Sequence, residues 1–293
     1  MIRNLIDLES AMQIFLNDRL VSEQEAVVSV FDHGFLYGDG IYETMRAYDG
    51  RVFMLGRHIE RLARSAALIR LHIPEPQMIT EAVHASMEAN DLKSAYIRVT
   101  VSRGKGPIGL DPGLCPRPTF VVIAEEFREY PESLYTEGVK LIIAGTRRNL
   151  IEALNPKIKS LNFLNNILAK MEAKERGAYE AIMLNAQGFV AEGTVCNLFF
   201  VKDDTLCTPA VEIGVLDGIT RELVITLAQK NGIPVEEGRY LPEDIRSASE
   251  VFFTNTTSEI MPVSQIEDVK YPVGDMTRKL HALYKEEVRK YLS

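Results

Sequence analysis

The chain has 293 residues, 46% of them hydrophobic and 25% charged, with a formal net charge of −8. This is the composition of an ordinary globular protein long enough for two domains. The acidic balance argues against a nucleic-acid partner, because phosphate contacts need clustered basic residues, and no apolar run approaches the ~18–20 residues that cross a membrane.

In chain order, MQIFLNDRLVSEQEAVVSVFDHG reads as a hairpin, with an apolar strand, the polar turn LNDRL and a β-rich VVSVF. LGRHIERLARSAALIRL places Leu55, Ile59, Leu62, Ala66 and Ile69 on one helical face, and MITEAVHASMEAND follows as a second helix. SAYIRVTVSRG alternates as a strand and RPTFVVIAEEF is another. REYPESLYTEG is polar and turn-rich. It marks a boundary near 125–138, giving domains 1–125 and 139–293 joined by a loop at 126–138.

Beyond the boundary, VKLIIAGTRRN is a strand and LNFLNNILAKMEAKERG a helix ended by Gly177. EAIMLNAQGFVAEGTVCNLFFVKDDTLCTP reads as a meander of short strands. ITRELVITLAQKNG is a helix stopped by Gly232, SEVFFTNTTSEIMPV a strand entering a small-residue turn, and DMTRKLHALYKEEVRKYL an amphipathic helix. Regular strand–helix–strand units are few, which favours an α+β fold. Cys115, Cys196 and Cys207 are odd in number and widely spaced, as expected of thiols in a reducing compartment. The start, MIRNLIDLESAMQIF, lacks a basic segment followed by an apolar one, so a cytoplasmic protein is expected.

Three turns invite chemistry. In GVLDGITRELV, Thr220 can cap a helix whose first-turn N–H groups suit an anion. TNTTSE, at 254–259, can form a nest of backbone donors. AEGTVCN places Glu192 before a glycine. Each also reads as a plain cap or loop, and none matches a dinucleotide or Walker fingerprint. RGKGPIG is expected to be a loop. His33 stands in FDHG without metal-ligand spacing, so no metal site is expected. Finally, NPKIKSLNFLNN sets Lys157 and Lys159 before a helix with no acid in the stretch. A buried lysine there becomes a nucleophile, whereas an exposed one is merely solvated. A lysine amine to hold an aldehyde, an acid for a pyridine nitrogen and N–H-lined turns for a phosphate are what pyridoxal 5′-phosphate requires.

The ordered motifs FDHGFLYGDGIYETMRAYDG, HIERL, AYIRVTVSRG, NPKIKSLNFLN, EAIMLNAQGFVAEGTVCNLF, GVLDGITR and TNTTSEIMPV resemble the class IV, fold type IV pyridoxal-phosphate enzymes over nearly the whole chain. Those enzymes are the branched-chain aminotransferases, D-amino acid aminotransferases and aminodeoxychorismate lyases. The resemblance implies a small N-terminal α/β domain and a larger one with a β-barrel-like core, and at least a homodimer with a loop of one subunit closing over the other's site. It assigns the cofactor-linking, catalytic lysine to Lys159 rather than Lys157, and the ring-nitrogen acid to Glu192. The phosphate falls to Arg61, Ile219, Thr220 and Thr256, with Asn197 beside the cofactor strand. Tyr42, Tyr96, Arg98 and Thr257 are implied to face the substrate.

The implied activity is a transaminase moving an amino group between a branched-chain L-amino acid and 2-oxoglutarate in amino-acid biosynthesis. GIYET and TNTTSE depart from the branched-chain patterns, and Phe163 stands where many of those enzymes carry tyrosine. TNTTSE resembles the D-amino acid enzymes, and VCNLF and VLDGITR resemble the lyases, which keeps a D-amino acid transaminase and an aminodeoxychorismate lyase as alternatives. A non-catalytic cofactor-binding protein is the reading from another class.

Overall fold

A computed structural model describes residues 12–292, and the chain divides into two units, 1–127 and 128–293. The segment MIRNLIDLESA, which bears on the expected absence of a leader, lies outside the described residues.

In the first unit, β1 (Gln13–Leu16) and β2 (Arg19–Ser22) form a hairpin whose turn residue Asn17 takes φ +60°. The expected second arm, VVSVF, is not part of it. The carboxylate of Glu25 accepts from Ser22 N–H and hydroxyl and ends β2 in a turn. Val27, Val28, Val30 and Phe31 then run exposed. A short α1 (His33–Tyr37), capped by Asp32, leads into β3 (Gly40–Tyr48) and β4 (Arg51–Val52). Helices α2 (Leu55–Leu68) and α3 (Pro76–Ala89) follow, then β5 (Ala95–Ser102) and β6 (Thr119–Glu126).

The sheet runs β2-β1-β6-β5-β3-β4 with every pair antiparallel. Strand alternation decides its two faces. Ile41, Met45 and Ala47 of β3 with Ile97, Val99 and Val101 of β5 are buried on the face that α2 and α3 cover, where Ile59, Leu62 and Ala66 supply the helical stripe. Each fully buried large side chain there contributes roughly 1.5–3 kcal/mol.

The second unit begins with α4 (Glu132–Glu137). The sequence pattern suggested only a turn there. Pro131 at the N-cap starts the helix, and Leu134 and Tyr135 pack on the core, so tertiary contact stabilises a segment too short to hold by propensity. Next come β7 (Val139–Ile143), α5 (Leu164–Glu175), β8 (Glu180–Leu184) and β9 (Val190–Gly193). They are followed by β10 (Asn197–Lys202), β11 (Thr205–Pro209), α6 (Ile219–Lys230), β12 (Val235–Gly238) and α7 (Pro242–Arg246). The unit closes with β13 (Glu250–Asn255), β14 (Glu259–Ile266), β15 (Val269–Lys270) and α8 (Asp275–Leu292).

The sheet order is β12-β11-β10-β13-β14-β7-β8-β9, with β15 on β14. Its two ends meet: Val190 N–H of β9 donates to the Tyr240 carbonyl just beyond β12 at 2.8 Å. The curl encloses Leu198, Phe200, Phe253, Met261 and Val263. The fold is therefore α+β with a barrel-like core in the larger unit.

Candidate active site

In the larger unit, Glu192 is the centre of a buried polar network. Arg148 Nε donates to its Oε1 at 2.7 Å. Asn197 Nδ2 and the Leu216 N–H donate to its Oε2 at 3.1 and 3.0 Å. Asn197 Nδ2 also reaches the Leu216 carbonyl at 2.9 Å, which ties β10 to the loop before α6. That helix is capped by Gly218 rather than by Thr220, which lies inside it, just after Ile219. The reason is steric. A Cβ on Gly218 would stand 2.0 Å from Asn197 Oδ1, so only glycine lets the helix start approach the asparagine. The first-turn N–H groups of Ile219 and Thr220 point out of the helix start, as an anion site requires.

β13 lies beside β10, with Thr254 directly opposite Asn197. Cross-strand partners share a face, and the Thr254 hydroxyl is buried there without a hydrogen-bond partner among the described residues. A buried orphan hydroxyl next to a polar network and a helix N-terminus fits a site completed by a polar ligand. Beyond it, Asn255 Oδ1 accepts from the N–H and hydroxyl of both Thr257 and Ser258, between 2.7 and 3.1 Å. This knot fixes the TNTTSE turn, and Thr256 takes no part in it. The Thr257 hydroxyl also accepts from Tyr130 at 3.3 Å. Sequence reading singled out the turn but not Asn255 as its organiser.

Lys159 is half-buried and Lys157 exposed, in a run of turns that follows the buried Pro156. The helix the sequence set directly after them starts only at Leu164, with Phe163 as its N-cap. Nor is that helix buried all round, since Leu164, Ile167, Leu168 and Met171 are exposed along one face.

In the smaller unit, the structure splits the candidates between the two sheet faces. Tyr42 lies on one face, and the Arg98 guanidinium sits 4.0 Å from its ring centroid. Tyr96, two residues from Arg98 on β5, projects to that face too. Burial pushes the Tyr42 phenol up, further than the Arg98 charge brings it back, so its hydroxyl stays a donor. Glu43, the next residue on β3, points to the helix-covered face. There Arg61 Nε and Nη2 fork onto its two oxygens at 2.7 and 2.8 Å, and His58 Nδ1 meets Oε2 at 2.8 Å. Burial alone would raise the Glu43 carboxyl. The Arg61 charge and the hydrogen bonds from Arg61 and His58 outweigh it and hold the group well below the usual carboxylate range.

Sequence reading missed Glu43 and Arg148. The only local trace of the first was a charged residue alternating with apolar ones in a buried strand. Nothing local marked the second.

A carboxylate held by three donors, a glycine-capped helix start beside it and a buried hydroxyl across the strand pair have the make-up of a ligand site. The class IV aminotransferase family model matches residues 40–266. A putative branched-chain-amino-acid aminotransferase of Methanocaldococcus jannaschii is 45% identical, covering 94% of this chain and 96% of its own. The branched-chain aminotransferase of Thermoproteus uzoniensis, solved with norvaline, superposes with a TM-score of 0.89 at 38% identity over 95% of both chains. The branched-chain amino acid aminotransferase of Thermobaculum terrenum, solved in its PLP-bound holo form, superposes at 0.85 and 28% identity, over 95% of this chain and 94% of its own. An aminodeoxychorismate lyase and D-alanine aminotransferases are also among the relatives. The chain belongs to the class IV aminotransferases, a pyridoxal-phosphate-dependent family.

Proposed function

We propose that the protein is a branched-chain-type transaminase that uses 2-oxoglutarate as amino acceptor. The observation that carries this reading is the Arg98–Tyr42 pair with Tyr96 beside it, a cation set among aromatic rings. Such a surface takes a carboxylate at the guanidinium and an apolar side chain on the rings. Pyridoxal 5′-phosphate, bound at the larger unit's network, supplies the aldehyde that receives the amine and a ring that withdraws electrons from the α-carbon.

The chain's own residues do the rest. Lys159 Nζ holds the cofactor, then takes the α-proton and returns it, as base and acid in turn. Glu192 accepts the ring N–H. Ile219, Thr220 and Thr256 are assigned to the phosphate as donors, and Arg61, whose guanidinium Glu43 orients, is assigned as the phosphate arginine. Asn197 spaces the acid from the phosphate-binding helix start. Thr257, fixed by Asn255, faces the substrate.

The test is a single turnover of the loaded enzyme, reading keto acid release. L-leucine outpaces D-alanine, and Arg98→Leu slows the L-leucine reaction by roughly 10–100-fold, the loss of a charge-assisted hydrogen bond. Faster release from D-alanine would instead favour the D-amino acid reading. That reading draws on the hydroxyl-rich Thr257–Ser258 turn. Pyruvate released from aminodeoxychorismate would point to the lyase.

The protein is also proposed to be a homodimer in the cytoplasm. Leu164, Ile167, Leu168 and Met171, 70, 50, 45 and 52% exposed, form an apolar stripe at i, i+3, i+4 and i+7 on α5, which suits burial against a second copy. Sedimentation is expected to show a dimer for the wild type and a monomer for Leu168→Glu/Met171→Glu. A wild-type monomer contradicts this. The three cysteines are free, as the reducing cytoplasm favours.

A further inference from the structure

Among the described residues Glu192 has three hydrogen-bonding neighbours, and one of them carries charge. Asn197 and the Leu216 N–H are neutral donors on Oε2, and Arg148 stands alone on Oε1. Both members of the Arg148–Glu192 pair are withdrawn from water, with side chains 10 and 5% exposed. Arg148 is itself fixed. Its N–H donates to the Leu184 carbonyl at the end of β8 at 2.8 Å. Its Nη1 stands 3.5 Å from Asn166 Oδ1 on α5, and Asn166 in turn donates to the Thr194 carbonyl at 2.6 Å. The arginine is thus held by β8 and α5 and presents one edge to the acid.

A buried ion pair is a weak stabiliser compared with an apolar pair of the same size. Its place beside the ring-nitrogen acid asks for another reason. A guanidinium presents a rigid planar fork of donors, so it can fix the orientation of the carboxylate it meets.

We propose that Arg148 is a positioning residue that fixes the Glu192 carboxylate by one oxygen, so that the acid meets the cofactor's ring N–H in a single orientation. The proposal rests on the assignment of Glu192 as the ring-nitrogen acid. Through it Arg148 acts on the cofactor without touching it. The fixed edge of the guanidinium sets which carboxylate oxygen faces the ring. Asn197 and Leu216 hold the other oxygen.

The experiment uses holoenzyme loaded with pyridoxal 5′-phosphate labelled with 15N at the ring, reading the nitrogen shift and, separately, the cofactor dissociation constant. Arg148→Gln keeps a neutral donor near Glu192 and so spares the fold. It is expected to move the 15N signal toward the unprotonated value and to raise the dissociation constant by roughly 10–100-fold. Arg148→Lys restores the protonated signal. The double variant Arg148→Gln/Glu192→Gln behaves as Glu192→Gln alone, because the arginine acts only through the acid.

A protonated signal with wild-type affinity in Arg148→Gln overturns the proposal. So does an Arg148→Lys signal matching that of Arg148→Gln. If Glu192→Gln itself leaves signal and affinity unchanged, the underlying assignment of Glu192 is what fails, and the single variants tell the two failures apart.

Discussion

Lys159→Ala is expected to abolish transamination to within background, while Lys157→Ala keeps most of it. Loss of a positioned base alone costs about 10²–10⁴-fold, and under the proposed assignment the same substitution also removes the amine that holds the cofactor. The two lysines are separated by one residue but differ in surroundings. Lys157 is exposed, its N–H held by Asn155 Oδ1 at 3.0 Å, whereas Lys159 is half-buried where Ser160 N–H turns back to the Ile158 carbonyl at 2.8 Å. Borohydride treatment of the loaded enzyme followed by peptide mass mapping provides the check. The cofactor mass should appear on Lys159, and finding it on Lys157, or an equal loss of rate in both variants, would sink the assignment.

Glu43→Ala is expected to cost about 3–5 kcal/mol of stability, because it leaves the Arg61 guanidinium buried without its counter-charge. The pH dependence has a definite sign. The folded Glu43 carboxyl titrates well below its unfolded value near 4.3. Its contribution is therefore fully present above about pH 4.3 and is lost as pH falls toward the folded value. Urea midpoints measured at pH 7 and pH 3.5 test this, with Glu43→Gln as reference. The gap between wild type and Glu43→Gln should narrow at the lower pH, and a constant gap would show that ionisation of Glu43 does not support the fold. The same geometry means that Arg61→Ala is expected to lower stability, so any effect on cofactor affinity must be measured on variants still folded.

What the sequence carried was local in origin. The stripe Ile59–Leu62–Ala66 announced α2 because helical periodicity puts those positions on one face. The alternation in AYIRVTVS announced β5, whose buried and half-buried residues alternate up to Val101. LNDRL announced the first turn, and Gly177 and Gly232 marked helix ends with φ near +63 and +71°. The ordered motifs further pointed to the family and its cofactor.

The tertiary structure decided the rest. VVSVF has a strand's composition, yet it forms none, because a strand needs a neighbour and the Glu25 turn has already led the chain away from β1. Arg148 and Glu192 are 44 residues apart, and Glu43 and Arg61 are 18 apart. No local pattern joins either pair. Arg148 reaches its acid because β8 and α5 hold it beside β9, and Arg61 reaches Glu43 because α2 packs across β3. Periodicity is a property of neighbours along the chain, whereas the pairing of buried charges depends on which groups the closed sheet and its helices remove from water together.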